Sequence, residues 1–250
     1  MLLCNENGLA FYRFSLFESC PSLAHGVFNR YGSTKAGNFN LAPGNGDKET
    51  EANTNLDLVS DTLGLKSLVF AGQVHGDRSL VVRTNQAHEM LNGYDALITR
   101  ESGLGLLITV ADCQGVVLHD PRQQVLALVH NGWRGSVVNI LGKTISRLVN
   151  EFSVHPEDIL AGISPSLGPC CAEFVHYRKE LPEDFQKYHV GGRHFDFWAI
   201  SRDQLTTAGI KPENIEVAGV CTKCSHEFFS YRRDKTAQRF GLAAGLRGKE

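Results

Sequence analysis

The middle of the chain is a succession of short, strongly apolar runs. Ser67–Gly72, Ser79–Arg83, Ala96–Thr99, Gly105–Val110, Gly115–His119 and Val125–Val129 are rich in aliphatic and β-branched residues, and each is bounded by Gly, Asp or Pro. A strand with one wet face alternates apolar and polar residues; runs this apolar suit strands covered on both faces. The fold must therefore supply layers on each side of its sheets. Helical spacing of apolar residues at Glu51–Leu63, Ser136–Phe152, Tyr177–Tyr188 and Trp198–Ala208 provides them. Further strands are expected at Ile159–Ile163, Ile215–Val220 and Phe228–Tyr231. The expected class is α/β (α+β): one layered domain over 1–250, with mixed β-sheets flanked by helices. A Gly-, Asn-, Ser- and Thr-rich stretch from Phe28 to Thr54 reads as a long loop anchored by Phe39, Leu41 and Pro43, not as a linker.

Charge narrows the partners. With 25 Lys+Arg against 27 Asp+Glu, the net charge is −2, far from the basic excess of a general nucleic-acid binder. The ligand is expected to be a small molecule or a protein. No run has the length of a membrane-spanning segment. The N-terminus lacks the basic region and long apolar stretch of a secretory signal. Seven cysteines, an odd number, then read as thiols of a reducing, cytoplasmic compartment, some available for metal binding or catalysis.

Three segments end predicted strands with a reactive side chain beside glycine: GQVHG (Gly72–Gly76), VADCQG (Val110–Gly115) and VHNGWRG (Val129–Gly135). Strand ends are where a scaffold presents such groups. His75, Cys113 and His130 make a plausible zinc set, and three protein ligands leave a fourth position open, the catalytic pattern. Asp112 is a candidate orienting carboxylate or general base. The same atoms also suit a nucleophilic Cys113 with His130 as its base and Asp112 or His75 as orienter. Wide sequence separation leaves both readings open, along with the ordinary one of a small buried thiol and polar loop histidines.

QVHG, ADC and HNGWRG, in this order, resemble the signature of the multicopper polyphenol oxidase (laccase-type, YfiH-like) family, whose members are described as purine nucleoside phosphorylases. The similarity extends over nearly the whole chain, through HGVFNRYGS from His25, NFNLA, DALIT, GISPSLGPCCAEF, CT and FFSYRRD. The chain departs from the family at Asn131 (usually Ala), at Ser164-Pro165 (usually Gly-Pro) and at Thr236–Arg239 (usually TGR). The last two are expected to alter the substrate pocket.

The resemblance implies zinc held by His75, Cys113 and His130. It implies phosphorolysis of adenosine, inosine, guanosine or 5′-methylthioadenosine to free base and ribose 1-phosphate, with adenosine deamination as a side activity. Copper and phenol oxidation belong to the older description, and the chain lacks the His-rich pairs of a multicopper cluster. A cysteine hydrolase or amidase editing cell-wall precursors is the alternative enzyme, and a purine- or metal-binding module the non-enzymatic one.

Phosphate requires cations. Arg30, Arg134 and the Arg232–Arg233 pair are candidates, Arg134 foremost for its nearness to His130. Phe39 and Phe229 are candidate purine-stacking rings, although core packing is the commoner role. Cys221 and Cys224 form C-x-x-C, but a structural zinc needs a second pair and the adjacent Cys170–Cys171 is poorly spaced for one. Cys224 therefore reads as structural and Cys221 as a pocket residue. The oligomeric state is not legible.

Overall fold

The computed structural model describes residues 1–32, 38–42, 49–83 and 89–248. Of the loop expected over Phe28–Thr54, residues 33–37 and 43–48, including Pro43, lie outside the described residues, and its last part, from Glu49, is helical. Fifteen strands follow one another: β1 (Leu2–Glu6), β2 (Leu9–Arg13), β3 (Leu23–Phe28), β4 (Ser67–Gly72), β5 (Ser79–Val81), β6 (Glu89–Asn92), β7 (Ala96–Thr99), β8 (Leu104–Val110), β9 (Gln114–Asp120), β10 (Val125–Asn131), β11 (Leu160–Ile163), β12 (His189–Gly191), β13 (His194–Phe195), β14 (Ile215–Val217) and β15 (Phe240–Leu246). Among the described residues six α-helices accompany them: α1 (Glu49–Leu63), α2 (Trp133–Val137), α3 (Ile140–Phe152), α4 (Tyr177–Glu180), α5 (Phe197–Thr207) and α6 (Tyr231–Asp234). No helix among the described residues is long and apolar enough to cross a membrane.

Two large mixed sheets form the body. The first runs β1-β2-β3-β15-β8-β4-β6, and the second β14-β11-β9-β10-β7-β5. Strand periodicity explains how both faces are used. In β8, Leu104, Leu106, Ile108 and Val110 join the cluster between the sheets, while Leu107 packs outward with Leu56, Val59 and Leu63 of α1. In β10, Leu126 and Leu128 point between the sheets, while Ala127 and Val129 meet Ile140, Leu141, Ile145 and Leu148 of α3. The result is helix, sheet, sheet, helix, the covered-on-both-faces arrangement the apolar runs demand. Each fully buried Leu or Ile contributes roughly 1.5–3 kcal/mol by burial.

Several boundaries differ from the sequence reading. The helix expected over Ser136–Phe152 divides at Asn139, which sits at φ 54° and caps α3 by accepting a hydrogen bond from Gly142 N. The helix expected over Tyr177–Tyr188 divides at Leu181-Pro182, where the proline drives Leu181 out of helical dihedrals, leaving α4 and a 3₁₀ turn at Glu183–Tyr188. Phe228–Tyr231 is not a strand: Phe228 and Phe229 are fully buried in a loop leading into α6. The strand expected over Ile215–Val220 stops at Val217.

The topology positions the site. Strands β4, β6 and β8 are parallel neighbours in the first sheet, so their C-terminal ends share one edge. From each of these ends the chain crosses to the second sheet, into β5, β7 and β9 respectively. The three crossings carry His75, Asp95 and Cys113.

Candidate active site

The crossings and the end of β10 converge. One ligand atom from each of His75, Cys113 and His130 lies within 4.8 Å of the other two. Cys113 Sγ is 4.0 Å from His75 Nε2, and the imidazoles meet edge to face with centroids 4.7 Å apart. His75 is exposed, Cys113 half-buried and His130 buried, so the cluster has one face in the protein and one towards solvent.

Asp95 organises this cluster and was not singled out from the sequence. Its carboxylate is fully buried and accepts hydrogen bonds from the backbone N–H groups of Val74, His75 and Gly76 at 3.3, 2.9 and 2.7 Å. Oδ1 also accepts from Nδ1 of His130 at 2.8 Å. One carboxylate thus fixes the turn carrying His75 and the tautomer of His130, leaving His130 Nε2 as the free donor atom. Buried carboxylates in this relation are the usual outer partners of metal-bound histidine. Burial raises the Asp95 carboxyl, but these hydrogen bonds and the imidazole outweigh it and hold the group below its ordinary range. The only sequence signal was a lone acidic residue ahead of an apolar strand in DALIT.

The backbone at the site is unusual. His75 and Asp112 both adopt positive φ, 61° and 88°, conformations that non-glycine residues keep only where their surroundings enforce them. Gly132 shows the same crowding: a Cβ there would lie 2.9 Å from Cys113 Sγ and 3.2 Å from His75 Cδ2. The thiol and imidazole perturb one another. Burial raises the Cys113 thiol, but the neighbouring His130 and His75 bring it down to about 6. Burial lowers His130, but Cys113 and Asp95 push it up to about 9.

Asp112 has a different place from the one expected of an orienter. Its Oδ1 accepts from Thr222 Oγ1 at 2.7 Å and its Oδ2 from Arg232 N at 2.6 Å, so it ties down the 222–232 segment; Asp95 orients the imidazole. Asp112 does line the adjoining cavity, of about 840 Å³, whereas Asp95 does not.

The other candidates divide. Arg134 and Arg232 line the cavity. Arg134 is exposed on α2 and lies over the Trp133 ring at 4.4 Å. Arg232 donates to the carbonyl of Glu173 at 3.1 Å. Arg30 is not at the cavity: it lies over Phe229 at 4.8 Å and pairs with Asp234 at 3.7 Å. Arg233 is spent on the carbonyls of Thr222, Ser225 and Phe228. Phe39 and Phe229 are core residues; the Phe, Trp and Tyr rings at the cavity are Phe70, Trp133, Phe174, Phe197 and Tyr231. Arg239, at the end of the Thr236–Arg239 departure and not among the cations named from sequence, lines the cavity, and burial lowers its pKa while Cys113 and Asp112 oppose that shift.

Cys221 does not line the cavity; it belongs to a second cluster, with Cys170, Cys171 and Cys224. The departures from the family pattern are accommodated. Asn131 is buried and donates to Gln114 and Ser201, with Ser136 donating back. The Ser164 hydroxyl accepts from Gly115 N away from the cavity lining.

Comparison with known proteins accords with this geometry. A purine nucleoside phosphorylase of Bacteroides thetaiotaomicron is 34% identical over 242 residues, covering 88% of this chain and 90% of the relative. The adenosine deaminase RL5, from an unknown prokaryotic organism, is 30% identical over 189 residues, covering 68% and 71%. The crystal structure of YlmD from Geobacillus stearothermophilus matches with a TM-score of 0.84 at 26% identity, over 98% of this chain and 99% of that one. Residues 24–247, which include the His75, Cys113 and His130 segments and every strand from β4 to β15, match the family described as multi-copper polyphenol oxidoreductase laccase, and the chain belongs to that family.

Proposed function

We propose that the chain is a zinc-dependent purine nucleoside phosphorylase with adenosine deaminase side activity. The observation that carries this reading is the convergence of His75, Cys113 and His130 at a cavity, with Asp95 fixing two of the three. Two imidazoles and a thiolate fit zinc, and among the described residues the set has three protein donors, leaving a fourth position open. When bound, the metal would supply Lewis acidity at the cavity wall. Copper is the lesser reading: a multicopper cluster needs further histidines, and the other metal-capable group among the described residues contains none.

In phosphorolysis a phosphate oxygen bonds to the anomeric carbon, the glycosidic C–N bond breaks, and the base leaves with the electron pair and takes up a proton. The chain supplies groups for each requirement. Arg134, Arg232 and Arg239 offer guanidinium donors for the phosphate oxygens. Trp133, Phe174 and Tyr231 offer ring faces for the purine. Asp112 lines the cavity and is assigned proton transfer, whereas Asp95 is a positioning residue.

The test is incubation of zinc-loaded protein with adenosine, with and without phosphate. Adenine and ribose 1-phosphate should form only with phosphate, and inosine would report deamination. Absence of all three rejects the reading. One observation favours a second reading: Asp95, His130 and Cys113 stand in the order of an acid–base–nucleophile chain. Full amidase activity in metal-stripped protein would establish that alternative instead.

A further inference from the structure

Four of the seven cysteines meet at a second place. The ligand sulfurs of Cys170, Cys171, Cys221 and Cys224 all lie within 4.8 Å of one another, and all four are free thiols. Cys224 Sγ is 3.8 Å from Cys170 Sγ and 3.5 Å from Cys171 Sγ. Zinc–sulfur bonds of about 2.3 Å place the corners of a tetrahedron about 3.8 Å apart. The sequence argument against a site here, that adjacent cysteines are badly spaced, fails because folding brings the C-x-x-C turn against them.

We propose that these four cysteines form a structural zinc site that clamps the 164–174 loop to the 220–225 turn behind the cavity wall. The scaffold for it is already zipped by backbone. Ser166 N donates to Val220 O at 3.2 Å and Thr222 N to Ser166 O at 3.0 Å. Two tight turns carry the sulfurs. In one, Cys171 N and Ala172 N both reach Gly168 O at 2.9 Å; in the other, Cys224 N and Ser225 N reach Cys221 O at 3.2 and 2.9 Å. Gly168 is obligatory for this approach, since a Cβ there would fall 3.0 Å from Cys221 Cβ and 2.9 Å from the Trp198 ring.

Four thiolates fill a tetrahedral shell, which makes the site closed and structural, unlike the three-donor set at the cavity. Cys170 and Cys224 are exposed, giving the ion a path in. The clamp would act on the cavity through Asp112. That residue's carbonyl accepts from Leu167 N at 2.8 Å, and its carboxylate accepts from Thr222 and from Arg232 N. Both clamped segments therefore hold the residue preceding Cys113.

The experiment is metal analysis of the full chain, which does not depend on any activity. Wild-type protein should carry two zinc ions, a Cys113→Ala variant one, and the Cys170→Ser/Cys224→Ser double variant one. Cobalt-loaded Cys113→Ala protein should show the intense charge-transfer absorption of several thiolate ligands. Should the double variant fail to fold, alkylation of wild-type protein decides: Cys170 and Cys224 should resist modification until a strong chelator is added. Rapid alkylation without chelator, iron in place of zinc, or a mass lower by two hydrogens from a Cys171–Cys224 disulfide would each overturn the proposal. Zinc retained at the thiols in an inactive protein would sink the phosphorylase reading and leave this one standing.

Discussion

The two sulfur-bearing clusters differ in how the fold holds them. His75 and Cys113 sit where the chain crosses between sheets and His130 near the end of β10, with His75 and Asp112 at positive φ, a buried carboxylate behind and a cavity in front. Cys170, Cys171, Cys221 and Cys224 sit on two turns zipped together by backbone hydrogen bonds, with Cys170 and Cys224 exposed. The first is mixed in donor type and open on one side; the second is uniform and closed. Strain and an oriented imidazole belong to a place built for reaction, whereas a saturated donor set belongs to one built for bracing.

Removing a donor from the open cluster should have the largest effect. Cys113→Ala is expected to lose metal at that cluster and to lower nucleoside turnover by more than about 100-fold, above the range typical of outer-partner changes. Metal content and kcat/KM check it, and near-normal turnover would erase the contrast between the clusters.

Asp95→Asn comes next. It keeps the shape but removes charge from a group that serves three amides and His130, and should weaken metal binding by about 10–100-fold. Competition with a calibrated chelator measures this. Unchanged affinity would mean that backbone strain alone positions the imidazoles.

Gly132→Ala tests crowding without touching a donor. Its Cβ would press on Cys113 and His75, and displacement of such groups should reduce turnover on the order of 10-fold. Full activity would show that the cluster has slack.

The smallest effect contrasts two buried histidines. His130 has a carboxylate and is pushed up, whereas His25 accepts a hydrogen bond from Phe14 N at 2.9 Å and is lowered by burial from 6.5 to about 4. Between those values the unfolded chain binds a proton at His25 that the folded chain refuses. Stability is therefore fully present above pH 6.5 and declines as pH falls towards 4. At about pH 5.5 the loss from this group should be about 1 kcal/mol. Denaturant unfolding across this range should show the slope, and His25→Gln, which cannot titrate, should flatten it.

Much of the central architecture was legible because strands covered on both faces have a composition of their own. β4, β7, β8, β9 and β10 all follow from their apolar runs. Other strands were not: the edge strand β1 is largely exposed, and the buried interior strands β3 and β15 contain small residues that give no distinctive pattern. Helix breaks at Asn139 and Pro182 follow from single residues whose preference is local, yet helical periodicity runs past both.

The sequence by itself determined the layered class and the three donor segments, because periodicity and strand-end chemistry are local properties. Only the tertiary structure decided that Asp95 orients His130, that Arg30 pairs with Asp234 over a buried Phe229, and that four cysteines share one point. Those relations join residues from different crossings and turns. Their distances are set by which strands pair and where the chain changes sheet, which no spacing along the chain encodes.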